Sequence, residues 1–124
     1  MPRVLIADDE ESMRTLVARA IAMDGHETVT AHDGAEALEI LTSSDGAFDL
    51  LLTDIQMPIM DGIALALSAA RDFPDLTILL MTGFADQRER ASGLEALVSD
   101  VISKPFSVAV IKFAVAAAIA KGKR

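Results

Sequence analysis

Phe48-Asp49-Leu50-Leu51-Leu52-Thr53-Asp54-Ile55-Gln56-Met57-Pro58-Ile59-Met60-Asp61-Gly62 is an apolar run that ends in a carboxylate and then a turn. The run from Phe48 to Thr53 reads as a strand buried on both faces. Pro58, Asp61 and Gly62 end it and mark a turn before the next helix. An open α/β sheet keeps its sites outside the carboxyl ends of its strands, where Asp54 would stand. A carboxylate on such an edge is placed to act as a nucleophile or a metal ligand. Taken alone, Asp54 fits a turn-initiating aspartate equally well, so the rest of the chain has to decide.

Outward from this stretch, strand and helix alternate. Val4 to Ala7, Glu27 to Ala31, Leu76 to Thr82 and Val98 to Ser103 read as the other strands. Helices are predicted over Glu11 to Met23, with Met13, Leu16, Val17 and Ala20 at helical spacing and Gly25 as the stop. Further helices follow Asp33-Gly34 through Leu41, and cover Ile63 to Arg71 and Ser107 to Lys121. A weaker, charged one spans Ala85 to Leu97, interrupted by Gly93. Five strands joined by crossover helices imply a doubly wound parallel sheet covered on both faces. The strands at Val4, Phe48 and Leu76 are apolar throughout, so they should be central.

Composition narrows the class. The chain has 124 residues, is 52% hydrophobic and carries a net charge of −8. That suits one packed domain and disfavours nonspecific binding to nucleic acid or an anionic membrane. Cysteine is absent, which removes disulfides and thiolate metal sites and fits a reducing cytoplasm. The run Val108 to Ala120 contains Lys112 and is too short to span a bilayer. The domain is placed at residues 1–120, with 121–124 as a short polar tail.

In a parallel sheet the residues that end the strands converge on one edge. Here these are Asp8 and Asp9, Asp54, Thr82 and Lys104. Three carboxylates close together repel, so either some bind protons or a cation neutralises them. An all-oxygen set selects a hard cation such as Mg²⁺. With an ammonium and a hydroxyl nearby, the edge suits a phosphoryl group carried on a carboxylate.

Asp8-Asp9, Asp54 with Met57-Pro58-x-Met60-Asp61-Gly62, Thr82-Gly83 and Lys104-Pro105-Phe106, in that order, resemble the receiver domains of two-component response regulators. The likeness covers essentially the whole chain. It implies the flavodoxin-like (βα)5 fold with strand order 2-1-3-4-5, and Asp54 as phosphoacceptor for a histidine kinase or histidine phosphotransferase. It implies Mg²⁺ held by Asp9, Asp54 and the Gln56 backbone carbonyl, with Asp8 acting through a water. Lys104 would pair with Asp54 and then with the phosphoryl group, Thr82 would swing to bond it, and Lys104–Pro105 would be cis. The same resemblance implies output through the helix after the fourth strand, the fifth strand and the last helix. Such a chain is a cytoplasmic bacterial phosphoacceptor rather than an enzyme, with at most slow loss of its own phosphoryl group.

One position departs from the family pattern: Val101 stands where many receivers carry Tyr or Phe, so switching by an inward-turning ring is not expected. Phe84 could gate Asp54 or replace that ring, or simply pack on the following helix. The run Met81 to Ala85, with Leu50 to Asp54, also resembles CpdR-like single-domain regulators, which act on a protease. If nothing follows Lys121, output comes from binding another protein; otherwise this is the receiver half of a longer regulator.

Two readings compete with the phosphoryl switch. A phosphatase of the haloacid dehalogenase type needs an acid two residues after its nucleophile, and Gln56 cannot serve. A phosphorylation-independent binding module of the same fold would usually have lost an acid, the Thr or the Lys. Along the last helix, Ile111, Val115 and Ala118 should face the sheet. That leaves Ala109, Phe113, Ala116 and Ala120 as an outward apolar stripe for a protein target or a homodimer mate. His26 and His32 fall in turns without paired ligands, and Arg88-Glu89-Arg90 reads as a solvated helix face.

Overall fold

Strands β1 (Arg3–Ala7), β2 (Glu27–Ala31), β3 (Leu50–Asp54), β4 (Thr77–Thr82) and β5 (Asp100–Ser103) pair in parallel in the order β2-β1-β3-β4-β5. The computed structural model describes residues 2–83, 90–94 and 96–122. Within them lie helices α1 (Glu11–Ala22), α2 (Gly34–Ser43), α3 (Gly62–Asp72) and α4 (Val108–Gly122). The three strands predicted to be central, β1, β3 and β4, are so.

Alternation along the strands makes two cores. Leu5, Leu51, Ile78 and Leu80 point to one face, where Leu41 of α2 and Leu65 of α3 pack on them. Val4, Ile6, Leu50, Leu52, Leu79 and Met81 point to the other, against Val17 and Ile21 of α1 and Ile111 and Val115 of α4. Each fully buried leucine contributes about 1.5–3 kcal/mol relative to an exposed one, so both layers are held firmly to the sheet.

The structure shifts several expectations. Leu16, assigned to the apolar face of the first helix, is 46% exposed, and Ile21 takes the buried place. β3 begins at Leu50 rather than Phe48, whose ring lies under the Arg3 guanidinium at 4.5 Å. The last helix continues through Lys121 and Gly122; Gly122 lies so close to the Thr77 side chain that a Cβ there would collide with it. Of the helix predicted over Ala85 to Leu97, residues 85–89 and 95 lie outside the described residues, as does Phe84. Ala91 to Gly93 form a turn in which Gly93 has φ +93°. Among the described residues no helix is long and apolar enough to cross a membrane.

Candidate functional site

The carboxyl edge is assembled by strand register. β1 ends at Ala7, which pairs with Ala31 of β2 and Thr53 of β3, so Asp8 and Asp54 leave neighbouring strands side by side. Asp54 is opposite Met81, and the Ile55 N–H donates to the Met81 carbonyl at 3.0 Å. Thr82 pairs with Ser103, and the Lys104 N–H donates to the Thr82 carbonyl at 2.7 Å. The Lys104–Pro105 bond is cis, as expected.

The side chains converge accordingly. Oxygens of Asp8, Asp9 and Asp54 all lie within 4.8 Å of one another. The Lys104 ammonium sits between two of them, 3.0 Å from Asp8 Oδ2 and 3.3 Å from Asp54 Oδ1. Lys104 was expected to pair with Asp54; it serves both, and Asp8 is the nearer. Asp9 is exposed, Asp8 fully buried and Asp54 7% exposed. Thr82 is buried at its strand end, and Gln56 lies exposed two residues past Asp54.

Burial pushes the Asp54 carboxyl up to about 6; the Lys104 charge opposes this, and the Asp8 and Asp9 charges add to it. Burial alone would lower Lys104, but the Asp54 and Asp8 charges outweigh it and hold the ammonium above its usual value. An acidic pocket with one fixed cation suits a further positive charge. The donor set, carboxylates without thiolate or imidazole, fits Mg²⁺.

The loops that frame the pocket are fixed by contacts that spacing alone did not reveal. Arg14 donates to the Asp8 carbonyl at 2.8 Å, and Asp8 Oδ1 accepts the Glu10 N–H at 3.0 Å. Asp61, read from sequence as a turn residue, caps α3 by accepting the Ala64 N–H at 2.8 Å, and Arg90 reaches it at 2.7 Å. Burial opposes ionisation of Asp61, yet those two partners keep its carboxyl below the usual range. Arg90 is therefore not merely a solvated charge. His32 takes no part in the carboxylate cluster; its Nδ1 lies 2.7 Å from Glu36 at the start of α2.

The response regulator receiver domain family matches residues 4–116. The response regulator MprA of Mycobacterium ulcerans is 35% identical over 106 residues, which are 86% of this chain and 45% of that protein. The chain thus spans about half the length of the curated relatives it matches. A response regulator receiver domain protein from Clostridium thermocellum superposes with a TM-score of 0.90 at 24% identity, covering 99% of this chain and 98% of that one. That likeness speaks to fold. The response regulator TrrA of Thermotoga maritima, solved in complex with Mg(2+)-BeF, gives 0.83 at 30% identity over 94% of this chain and 98% of its own.

Proposed function

This chain belongs to the response regulator receiver domain family of two-component systems, and on that premise we propose that Asp54 accepts a phosphoryl group from a phosphohistidine on a partner protein. The observation that carries the proposal is the Lys104 ammonium lying between Asp8 and Asp54, with Asp9 completing the cluster.

An Asp54 oxygen attacks phosphorus in line as the phosphorus–nitrogen bond to the donor imidazole breaks. The product is an acyl phosphate. Lys104 follows the negative charge from the carboxylate onto a phosphoryl oxygen, and the Thr82 hydroxyl donates to another. Asp9, Asp54 and the Gln56 carbonyl, with Asp8 through a water, would hold Mg²⁺, which supplies charge neutralisation at the phosphoryl oxygens. Slow hydrolysis of the acyl phosphate resets the site.

The new group adds about −1.5 to −2 charges. Drawing Thr82 inward biases the end of β4, and through it β5 and α4. Val101 is half-buried against the core on β5, so rotation of a ring at that position is not part of this switch. On α4, Ile111, Val115 and Ala118 are buried, while Ala109, Phe113, Ala116 and Ala120 are exposed. The apolar stripe predicted from sequence therefore faces outward, with Phe113 76% exposed. We assign it to the downstream protein target or a homodimer mate. Phe113→Ala is expected to leave folding and phosphorylation unchanged and to weaken target binding or self-association of the beryllofluoride-loaded form about tenfold. Titration of the two forms side by side checks this, and equal binding would remove Phe113 from the interface.

The deciding experiment is intact mass after incubation with Mg²⁺ and acetyl phosphate, with Asp54→Ala alongside. One phosphoryl group should appear on the native chain alone and be absent in chelator. No gain would favour a phosphorylation-independent interaction module. We place the chain in the cytoplasm with its receiver domain at residues 1–120, as a regulator whose output is a contact with another protein. The receiver half of a longer regulator is the second reading, favoured by the 45% coverage of MprA. The mass of the protein isolated from its own cells separates the two.

A further inference from the structure

Pro58, Ile59 and Met60 make a three-residue reversal beside the phosphoacceptor. The Met60 N–H donates to the Pro58 carbonyl at 2.7 Å, and Ile59 between them has φ +70°. An i to i+2 hydrogen bond around a residue of positive φ is the rare, strained form of γ-turn. A β-branched side chain is among the least favourable occupants of that conformation. The other positive-φ residues among those described are Gly25, Asp45, Gly46 and Gly93, so this chain elsewhere uses residue types that tolerate it.

The backbone strain has a structural cause. Proline fixes φ at position 58, the Met60 carbonyl accepts the Gly34 N–H at 3.2 Å, and the Gly62 N–H donates to the Ile55 carbonyl at 2.8 Å. The loop is held from both ends. The identity of the side chain at its tip has no such cause. Ile59 is 84% exposed, more than any other large apolar side chain described. It adds nothing to the core, and asparagine or glycine would fit the same backbone at lower cost.

We infer that Ile59 is a contact residue for the protein that delivers the phosphoryl group, its side chain being covered by that donor as the phosphohistidine faces Asp54. The inference rests on the phosphoacceptor reading above. Ile59 is five residues from Asp54 on the loop that leaves the same strand, and Pro58 beside it is also exposed. Asp54 ends β3 at the carboxyl edge, and the loop bearing Ile59 leaves from that same end, so a protein presenting a phosphohistidine to Asp54 comes up beside this loop. A small phosphodonor reaches Asp54 without covering it.

The test compares Ile59→Asn and Ile59→Leu with the native chain, using two donors. One is acetyl phosphate. The other is the autophosphorylated catalytic core of whichever histidine kinase of the source genome labels the native chain fastest. With the kinase, Ile59→Asn should raise KM about tenfold, the effect of leaving one buried apolar side chain uncovered, with kcat unchanged. Ile59→Leu should behave as native. Acetyl phosphate should label all three within about twofold, and Ile59→Asn should melt no lower than native, since asparagine tolerates positive φ. Equal kinase KM for Asn and Ile would overturn the inference. So would a parallel loss with acetyl phosphate, which would assign the residue to loop structure, or a loss confined to self-association, which would assign it to a second copy. If neither donor labels the native chain, the phosphoacceptor reading itself falls and the inference with it.

Discussion

Asp54→Asn is expected to abolish phosphoryl uptake and yet, in chelator at pH 7, to make the folded chain more stable by about 1–2 kcal/mol. The first effect follows from the proposed role of Asp54 as the nucleophile; an amide oxygen cannot form the acyl phosphate. The second follows from the direction of its titration. Burial raises the Asp54 carboxyl from 3.8 to about 6, so the folded chain holds this proton more tightly than the unfolded chain does. Between those values the folded state binds more protons, and stability falls as pH rises. The contribution of protonated Asp54 is fully present below about 4 and lost above about 6. At pH 7 the ionised group is a net cost to folding, one that Lys104 reduces without cancelling.

Denaturant titrations at pH 7 and pH 4 test this. The advantage of Asp54→Asn should be present at pH 7 and shrink toward zero at pH 4, where native Asp54 is protonated. If the proposed site holds Mg²⁺, saturating Mg²⁺ should also narrow the difference at pH 7, by stabilising the folded native chain through mass action. If Asp54→Asn is instead destabilising at pH 7, the ion pair with Lys104 outweighs the burial of the charge.

That behaviour explains which parts of the molecule were legible beforehand. β1, β3 and β4 were readable as central because both faces of each are buried, leaving continuous apolar runs with no polar alternation. Asp8, Asp9, Asp54, Thr82 and Lys104 were readable as neighbours because parallel register brings all strand ends to one edge. What register does not encode is how charges are shared there. Lys104 lies nearer Asp8 than Asp54, a result of where its flexible stem comes to rest. Arg90 reaching Asp61 across 29 residues leaves no periodic trace in the sequence. Leu16 was misplaced because helical spacing gives a stripe without its edges, and Ile21 lies closer to the stripe's centre. The strain at Ile59 was invisible for a different reason: glycine or asparagine would have signalled a positive φ, and isoleucine signals the opposite.

Gly62→Ala should be a severely damaging conservative change, costing about 3 kcal/mol or more and most of the phosphorylation rate. From sequence Gly62 looked like a turn marker, but its role is close approach. A Cβ there would overlap the Asp54 carbonyl oxygen and lie 2.9 Å from Ile55 Cα. Both are backbone atoms at the end of the strand that carries Asp54, so no side chain can move aside. Nor can α3 simply withdraw. The Gly62 N–H donates to the Ile55 carbonyl at 2.8 Å, and Asp61 caps the same helix end. Relief therefore has to come from displacing Asp54 and Ile55, which disturbs the spacing of Asp54 from Lys104 and Asp8. Gly83, beside Thr82, is the internal control: a Cβ there meets nothing within 4 Å among the described residues. Gly83→Ala should stay within about 0.5 kcal/mol of native. Urea denaturation with acetyl phosphate labelling of both variants separates the cases. A loss below about 1 kcal/mol for Gly62→Ala would mean that the β3–α3 junction yields, and that Asp54 is held less rigidly than its contacts imply.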